Sequence, residues 1–305
     1  MTDLSFTLKC ADGHSMPIYG WLPAEKPSAV IHICHGMAEY GERYDQIARY
    51  FTGHGIAVFA HDNRGHGQAV SSTSLQGITV NNWFYLQVED IDLCIQHHRK
   101  EYADKIFLLG HSMGSFLAQR YFQLHGTHID GLILSASNGK QDPLMGAGIG
   151  LAWLQMKLFG SRFKSHMIDY LSFGQFNKKF KPNRTVSDWL TKDQAEVDKY
   201  VADPRCGFVC SASFYYYFFT GIRDAFKNVN IRSIPRDIPV YAFSGSKDPV
   251  GLEGKGFLYL VKRWKQAGVK DFTYHLYENG RHEMMNELNR EEVLENVVSF
   301  IKQHS

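Results

Sequence analysis

Residues 105–117 read Lys-Ile-Phe-Leu-Leu-Gly-His-Ser-Met-Gly-Ser-Phe-Leu. The run Lys105–Leu109 is continuous and apolar after its first residue, as a strand is when both of its faces are covered. Gly110-His111-Ser112-Met113-Gly114 follows at once, and helical spacing takes over from Met113 to Leu124. A G-x-S-x-G string arises by chance on the order of 0.1 times in a chain this long, so the string alone says little. Its setting says more. A strand, a tight turn and a helix in direct succession present a serine hydroxyl on a strained turn, and the two glycines let neighbouring backbones approach. The helix behind the serine adds a positive dipole end, which favours negative charge developing there.

Outward from this junction the pattern repeats. Phe6–Cys10 and Pro17–Leu22 flank Asp12-Gly13 and read as an antiparallel hairpin. Ala29–Cys34, Ile56–Ala60 and Gly131–Ala136 are short apolar strands. Helical spacing over Gly41–Gly53 and Asn82–Tyr102 separates them. The alternation returns with strand Pro239–Ser244, helix Gly256–Ala267, strand Phe272–Tyr277 and a last helix over Glu287–Gln303. Alternating strands and helices predict an α/β fold, a mostly parallel central sheet with helices on both faces. Between Ser137 and Pro239 the alternation stops. The expected organisation is one α/β core, residues 1–137 and 236–305, carrying a mainly helical lid at 138–235.

The 305 residues are 44% hydrophobic and 21% charged, which suits a globular chain and excludes disorder and coiled coil. A net charge of +2 provides no field to steer a polyanion, so nucleic acid is not an expected partner. Five cysteines form no paired framework, and Met1–Pro23 is polar where a leader would be apolar. A cytoplasmic setting is the expectation. Cys206 and Cys210 have no second pair at zinc-ligand spacing and read as buried or lid thiols, and no His-Glu-x-x-His occurs among the 15 histidines. No metal and no cofactor are expected.

A serine nucleophile needs a base, and the base needs an orienting acid. Asp248 follows strand Pro239–Ser244 through Gly245-Ser246-Lys247, and His282 follows strand Phe272–Tyr277 through Glu278-Asn279-Gly280-Arg281. Both loops leave the carboxyl ends of parallel strands, the edge at which Ser112 sits, so the order Ser112, Asp248, His282 is the one this kind of sheet uses. An oxyanion would be held by two backbone amides, one from Met113 and one from Met37, in the His35-Gly36-Met37-Ala38 loop after Ala29–Cys34. The polar stretch His61-Asp62-Asn63-Arg64-Gly65-His66-Gly67 reads as a structural turn bracing that loop.

These residues resemble the serine hydrolases of the α/β-hydrolase fold, in particular the monoacylglycerol lipase and lysophospholipase-like branch. The resemblance is carried in order by His35–Tyr44 (HGMAEYGERY), Asp62–Gly67 (DNRGHG), the Ser112 pentapeptide, Ser244–Asp248 (SGSKD) and Gly280–Glu287 (GRHEMMNE), with Asp203-Pro204 and Cys206 in the lid. It covers about two-thirds of the chain, residues 1–137 and 236–303. The resemblance implies a carboxylic ester hydrolase acting on lipid-like esters, a monoacylglycerol or a lysophospholipid, through an acyl-enzyme. It also implies that Glu39 and Arg43 lie near the glycerol end of the substrate. A further histidine often found three residues past the catalytic one is Met285 here.

The lid bears on substrate class. Leu144–Phe159 is apolar with little charge, and Phe214–Phe219 is six consecutive aromatics. These are expected to line an acyl channel, with part of the lid touching a membrane surface transiently. Three other readings stay open: a short-chain carboxylesterase, an aminopeptidase-like hydrolase that would grip an α-amino group with lid carboxylates such as Glu196 or Asp203, and a non-catalytic ligand receptor. Oligomeric state is not legible.

Overall fold

The computed structural model describes residues 2–140 and 144–305; Met1 and residues 141–143 of the expected insertion lie outside it. The chain begins with the hairpin β1 (Leu4–Lys9) and β2 (Ser15–Trp21), then β3 (Ala29–Cys34), α1 (Asp45–Thr52), β4 (Ile56–His61), α2 (Trp83–Glu101), β5 (Ile106–His111), α3 (Met113–His125) and β6 (Gly131–Ser135). Helices α4 (Met145–Phe159), α5 (His166–Ser172), α6 (Gln194–Ala202), α7 (Ala212–Ala225) and α8 (Asn228–Ile231) come next. The chain ends with β7 (Val240–Gly245), α9 (Lys255–Ala267), β8 (Phe272–Tyr277) and α10 (Arg290–His304).

The strands make one eight-stranded sheet in the order β1-β2-β4-β3-β5-β6-β7-β8. β1–β2 and β2–β4 pair antiparallel, and every later pair is parallel. The α/β fold expected from the alternation is the fold observed, a mostly parallel sheet flanked by helices. Strands β3 to β7 are buried along their whole length, because helices cover both faces. On one face, Ile47, Ala48 and Phe51 of α1 and Val293, Val297 and Ile301 of α10 pack on Ile31, Ile33, Phe107, Leu109 and Phe243. On the other, Val88, Ile91 and Ile95 of α2, Phe116 and Leu117 of α3, and Phe257 and Trp264 of α9 pack on Val30, Leu108, Leu132 and Ala242.

The last helix starts later than its periodicity predicts, at Arg290 rather than Glu287. The cause is Glu287 itself. Its fully buried carboxylate accepts from the backbone N–H groups of Lys192, Arg281 and Leu288, so it staples the segment after β8 to the inserted helices. The stretch between β6 and β7 contributes no strand to the sheet among the described residues. Its α7 is its anchor: Trp83 stacks on Phe214 with centroids 4.4 Å apart and donates its indole N–H to the Phe214 carbonyl.

Register fixes where the loops emerge. Cys34 lies opposite Gly110, His111 opposite Ser135, and Gly245 opposite Tyr277. The segments following β3, β5, β7 and β8 therefore leave the sheet along one edge.

Candidate active site

Ser112 stands between β5 and α3 with φ 52° and ψ −117°, a conformation that a non-glycine residue holds only when its surroundings impose it. The surroundings are tight. A Cβ on Gly114 would sit 2.0 Å from the Cys34 carbonyl oxygen, and one on Gly110 would sit 2.5 Å from the Gly114 carbonyl oxygen. The Ser112 N–H donates to the Ser135 carbonyl at 3.0 Å, tying the turn to β6. Ser112, His111 and His282 line one cavity together with Gly36, Met37, Ala38, Glu39 and Glu283. The His111 and His282 rings are 5.0 Å apart, so the imidazole of 282 lies beside the residue preceding the serine. Among the described residues the Ser112 hydroxyl makes no hydrogen bond to His282; such contacts are commonly loose until substrate is bound.

His282 and Asp248 are in contact. Nδ1 of the imidazole lies 2.8 Å from Asp248 Oδ1, and both side chains are buried. Asp248 is held in turn, Oδ2 accepting from the Ser244 hydroxyl at 3.1 Å and Oδ1 from the Val250 N–H at 2.9 Å. The two loops are laced together where they leave β7 and β8. Lys247 N–H donates to the Gly280 carbonyl, and Asn279 N–H donates to the Ser246 hydroxyl. Burial disfavours the imidazolium of His282, but the Asp248 carboxylate outweighs it and holds the pKa above the ordinary value. His111, also buried, is pushed down to about 3 and donates to or accepts from Ser135 Oγ at 3.0 Å.

Met113 N–H is the first amide of α3, so it has no acceptor within the helix. Met37 lines the cavity in the loop after β3. That loop is braced as the polar stretch 61–67 suggests. His35 Nε2 accepts from the Asn63 N–H at 2.9 Å, His66 Nε2 accepts from the Ala38 N–H at 3.2 Å, and Asp62 Oδ1 accepts from the Gly41 N–H at 2.8 Å. The inserted segment holds the same loop from the other side. The Ala38 carbonyl accepts from the Tyr200 hydroxyl at 3.0 Å and the Gly207 N–H at 2.9 Å, while the Tyr40 hydroxyl donates to Asp203 at 2.6 Å.

Glu39 and Arg43 meet in a buried network whose third member, Glu283, directly follows His282 but is assigned no role from the sequence. Arg43 lies 2.7 Å from Glu39 and is bidentate to Glu283, both of those contacts 2.7 Å, with Glu283 240 positions away in the chain. Glu39 also accepts from the Gly36 N–H at 2.5 Å. Burial raises the Glu39 pKa, whereas at Glu283 the facing Arg43 guanidinium overcomes burial and brings it down to about 2. Glu39 and Glu283 reach the cavity wall; Arg43 lies behind them.

Two expectations about the inserted segment are corrected. Neither α4 nor Phe214–Phe219 lines the cavity among the described residues; its apolar wall is Phe173, Val186, Trp189, Leu190 and Phe208. Phe214 and Phe218 are buried against the core instead, because a helix must sink one face to attach the segment at all. Trp189, 4.8 Å from the His282 ring, was not singled out by any motif. Glu196 and Asp203 are also absent from the cavity wall: Glu196 faces Lys199 and Arg290, and Asp203 faces Tyr40 and Arg205. The five cysteines form no disulfide; Cys210 is buried and Cys206 half-buried.

The family described as serine aminopeptidase, S33, matches residues 25–289. Monoglyceride lipase of Mus musculus is 29% identical over 280 residues, spanning 91% of this chain and 83% of its own length. Phospholipase YtpA of Bacillus subtilis is 26% identical over 289 residues, spanning 92% of this chain and 98% of its own. The crystal structure of a thermostable carboxyl esterase from Bacillus coagulans superposes with a TM-score of 0.90 at 24% identity, covering 100% of this chain and 99% of that one. The chain therefore belongs to the serine aminopeptidase, S33, family and is a serine hydrolase with the α/β-hydrolase fold.

Proposed function

We propose that the protein is a carboxylic ester hydrolase that cleaves lipid-like esters, a monoacylglycerol or a lysophospholipid, with Ser112, His282 and Asp248 as its catalytic triad. The observation that carries this reading is the buried Asp248–His282 pair opening onto the cavity that Ser112 lines from a strained turn. His282 takes the proton from Ser112 as the hydroxyl oxygen attacks the ester carbonyl, and Asp248 fixes the tautomer that leaves Nε2 free to accept it. The Met37 and Met113 amides hold the oxyanion. His282 returns the proton to the departing alcohol, and water, activated by the same imidazole, then releases the acid. Glu39 and Glu283 face the cavity beside the serine and suit a hydroxyl-bearing head group, with Arg43 setting their charge from behind.

The segment 138–235 acts in this reading as a lid over the core. Its outer surface supports contact with a lipid surface. Trp153, Leu158 and Phe159 on α4 and Met167 and Leu171 on α5 are exposed, and the charged residues among them are chiefly Lys157, Arg162 and Lys164. No described helix is long and apolar enough to cross a membrane. The peptidase reading is disfavoured because Glu196 and Asp203, the carboxylates it would use, lie off the cavity wall and face Arg290 and Arg205 instead.

A phosphonylating serine probe tests the triad: the wild type is labelled and Ser112→Ala is not. Incubation with a mixed lipid extract then tests the substrate class, since loss of monoacylglycerols or lysophospholipids relative to Ser112→Ala supports it. Cleavage of acetyl and butyryl esters as fast as dodecanoyl esters, with lipids untouched, replaces it with a short-chain esterase.

A further inference from the structure

Away from the catalytic cavity, α2, the last residue of α3 and the following turn bring metal-ligating side chains together. His128 Nδ1 lies 2.7 Å from Asp92 Oδ1, and His125 Nε2 lies 3.1 Å from Glu89 Oε1. One ligand atom from each of Asp92, His125 and His128 lies within 4.8 Å of the other two. We infer that Asp92, His125 and His128 form a three-residue site for zinc(II) or a related transition-metal dication, with solvent completing its coordination.

Four arguments support the site. Zinc bound to nitrogen and oxygen at about 2.0–2.2 Å in tetrahedral geometry places its ligand atoms roughly 3.3–3.6 Å apart, so each of these three side chains needs to move by less than about 1 Å. Two imidazoles with one carboxylate select zinc, copper or nickel over magnesium and calcium. His125 closes α3, where the helix dipole presents its negative end to a cation. The Tyr121 hydroxyl donates at 2.9 Å to Asp92 Oδ1, the oxygen that also faces His128 Nδ1, and fixes the orientation of the carboxylate. The cluster is also reachable, with His125 and His128 side chains 22% and 41% exposed. A second convergence, His32, Cys34 and His61, lacks these properties. It is wholly buried, and both nitrogens of His32 and of His61 already serve other side chains.

The test is titration of EDTA-treated, dialysed protein with zinc chloride, read as thermal stability and heat of binding. One equivalent binds, and Tm rises by roughly 4–8 °C at a hundredfold excess over Kd. Magnesium chloride produces no shift. The double variant His125→Gln/His128→Gln, altered only at partly exposed positions, keeps the apo Tm and weakens zinc binding at least about tenfold. Cobalt(II) in place of zinc shows the intense visible bands of a four-coordinate ion in the wild type and not in the double variant. Absence of a zinc-dependent shift in the wild type, or an equal shift in the double variant, overturns the site.

Discussion

Acid should destabilise this protein while its carboxylates are still ionised, and the cause is its buried imidazoles. His61 and His66 are held down to about 4 and His111 to about 3, each chiefly by burial, against about 6.5 in an unfolded chain. The unfolded state therefore binds these protons first. Stability is intact above the unfolded pKa and is lost as pH falls below it, which is the sign for a histidine buried neutral. Between pH 7 and pH 5.5 each group costs ~1.2 kcal/mol, and the three together cost ~4 kcal/mol, out of a total stability of roughly 5–15 kcal/mol. His32, His35 and His98 are also depressed by burial and act in the same direction. His282 opposes them, since its raised pKa adds stability as it becomes protonated. Urea unfolding followed by tryptophan fluorescence at several pH values measures the slope. His66→Gln isolates one group: glutamine retains an acceptor for the Ala38 N–H but does not titrate, so its loss between pH 7 and 5.5 should be smaller than the wild type's by ~1.2 kcal/mol. A wild type whose stability is flat across that range, or a His66→Gln slope identical to the wild type's, refutes the reasoning.

Arg43→Met strands Glu39 and Glu283 as unpaired buried carboxylates and should cost ~3–5 kcal/mol in urea unfolding at pH 7, partly recovered when both glutamates are changed to glutamine; an unmoved midpoint excludes the network as a structural element. Asp248→Asn should lower kcat about 10⁴-fold, and should move the acid limb of kcat/KM from above pH 6.5 to lower pH, because the carboxylate that raises the His282 pKa is gone. A pH–rate profile with a soluble ester reads both effects, and an unshifted limb counts against the pairing. Gly114→Ala, whose Cβ would meet the Cys34 carbonyl oxygen at 2.0 Å, should cost at least ~3 kcal/mol and abolish probe labelling; a wild-type Tm with full labelling shows that β3 and the turn are not packed as described.

What could be read from the chain divides along a physical line. The sheet was legible because β3 to β7 are covered on both faces and must be apolar throughout. The placement of Ser112, Asp248 and His282 along one edge followed from parallel strands, since every parallel strand ends on the same side. The bracing of the loop at 35–38 by residues 61–66 was legible because polar residues directly after a buried strand need partners nearby. Glu283 and Trp189 were missed for the converse reason. Their roles depend on contacts across large sequence separations, Arg43 to Glu283 and Trp189 to His282, and neither contact leaves a periodicity or a spacing. The aromatic run at 214–219 misled because burial and substrate lining demand the same residues. Only the position of α7 against Trp83 and Phe116 shows that it attaches the segment rather than forming the cavity wall.

The loop after β3 has a position that neither the core nor the inserted segment fixes alone. Its inner side rests on His66 and Asn63, and the Phe208 ring of the insertion lies 5.1 Å from that same His66. Its outer side offers one carbonyl, that of Ala38, to both Tyr200 and Gly207, and Ala38 itself has φ 55°. A strained residue persists only where neighbours overdetermine it, and here the neighbours come from both parts of the chain. Displacing the insertion outward removes two donors from the Ala38 carbonyl while the core still holds the Ala38 N–H. The strain at Ala38 then loses half of its support, and the adjacent Met37 amide loses its fixed direction. Any movement that admits a bulky substrate must therefore either spare the 200–208 stretch or disturb the loop beside Ser112. The first alternative is the one the contacts favour, because α4 and α5, which carry the exposed apolar residues, make none of these bonds to the loop.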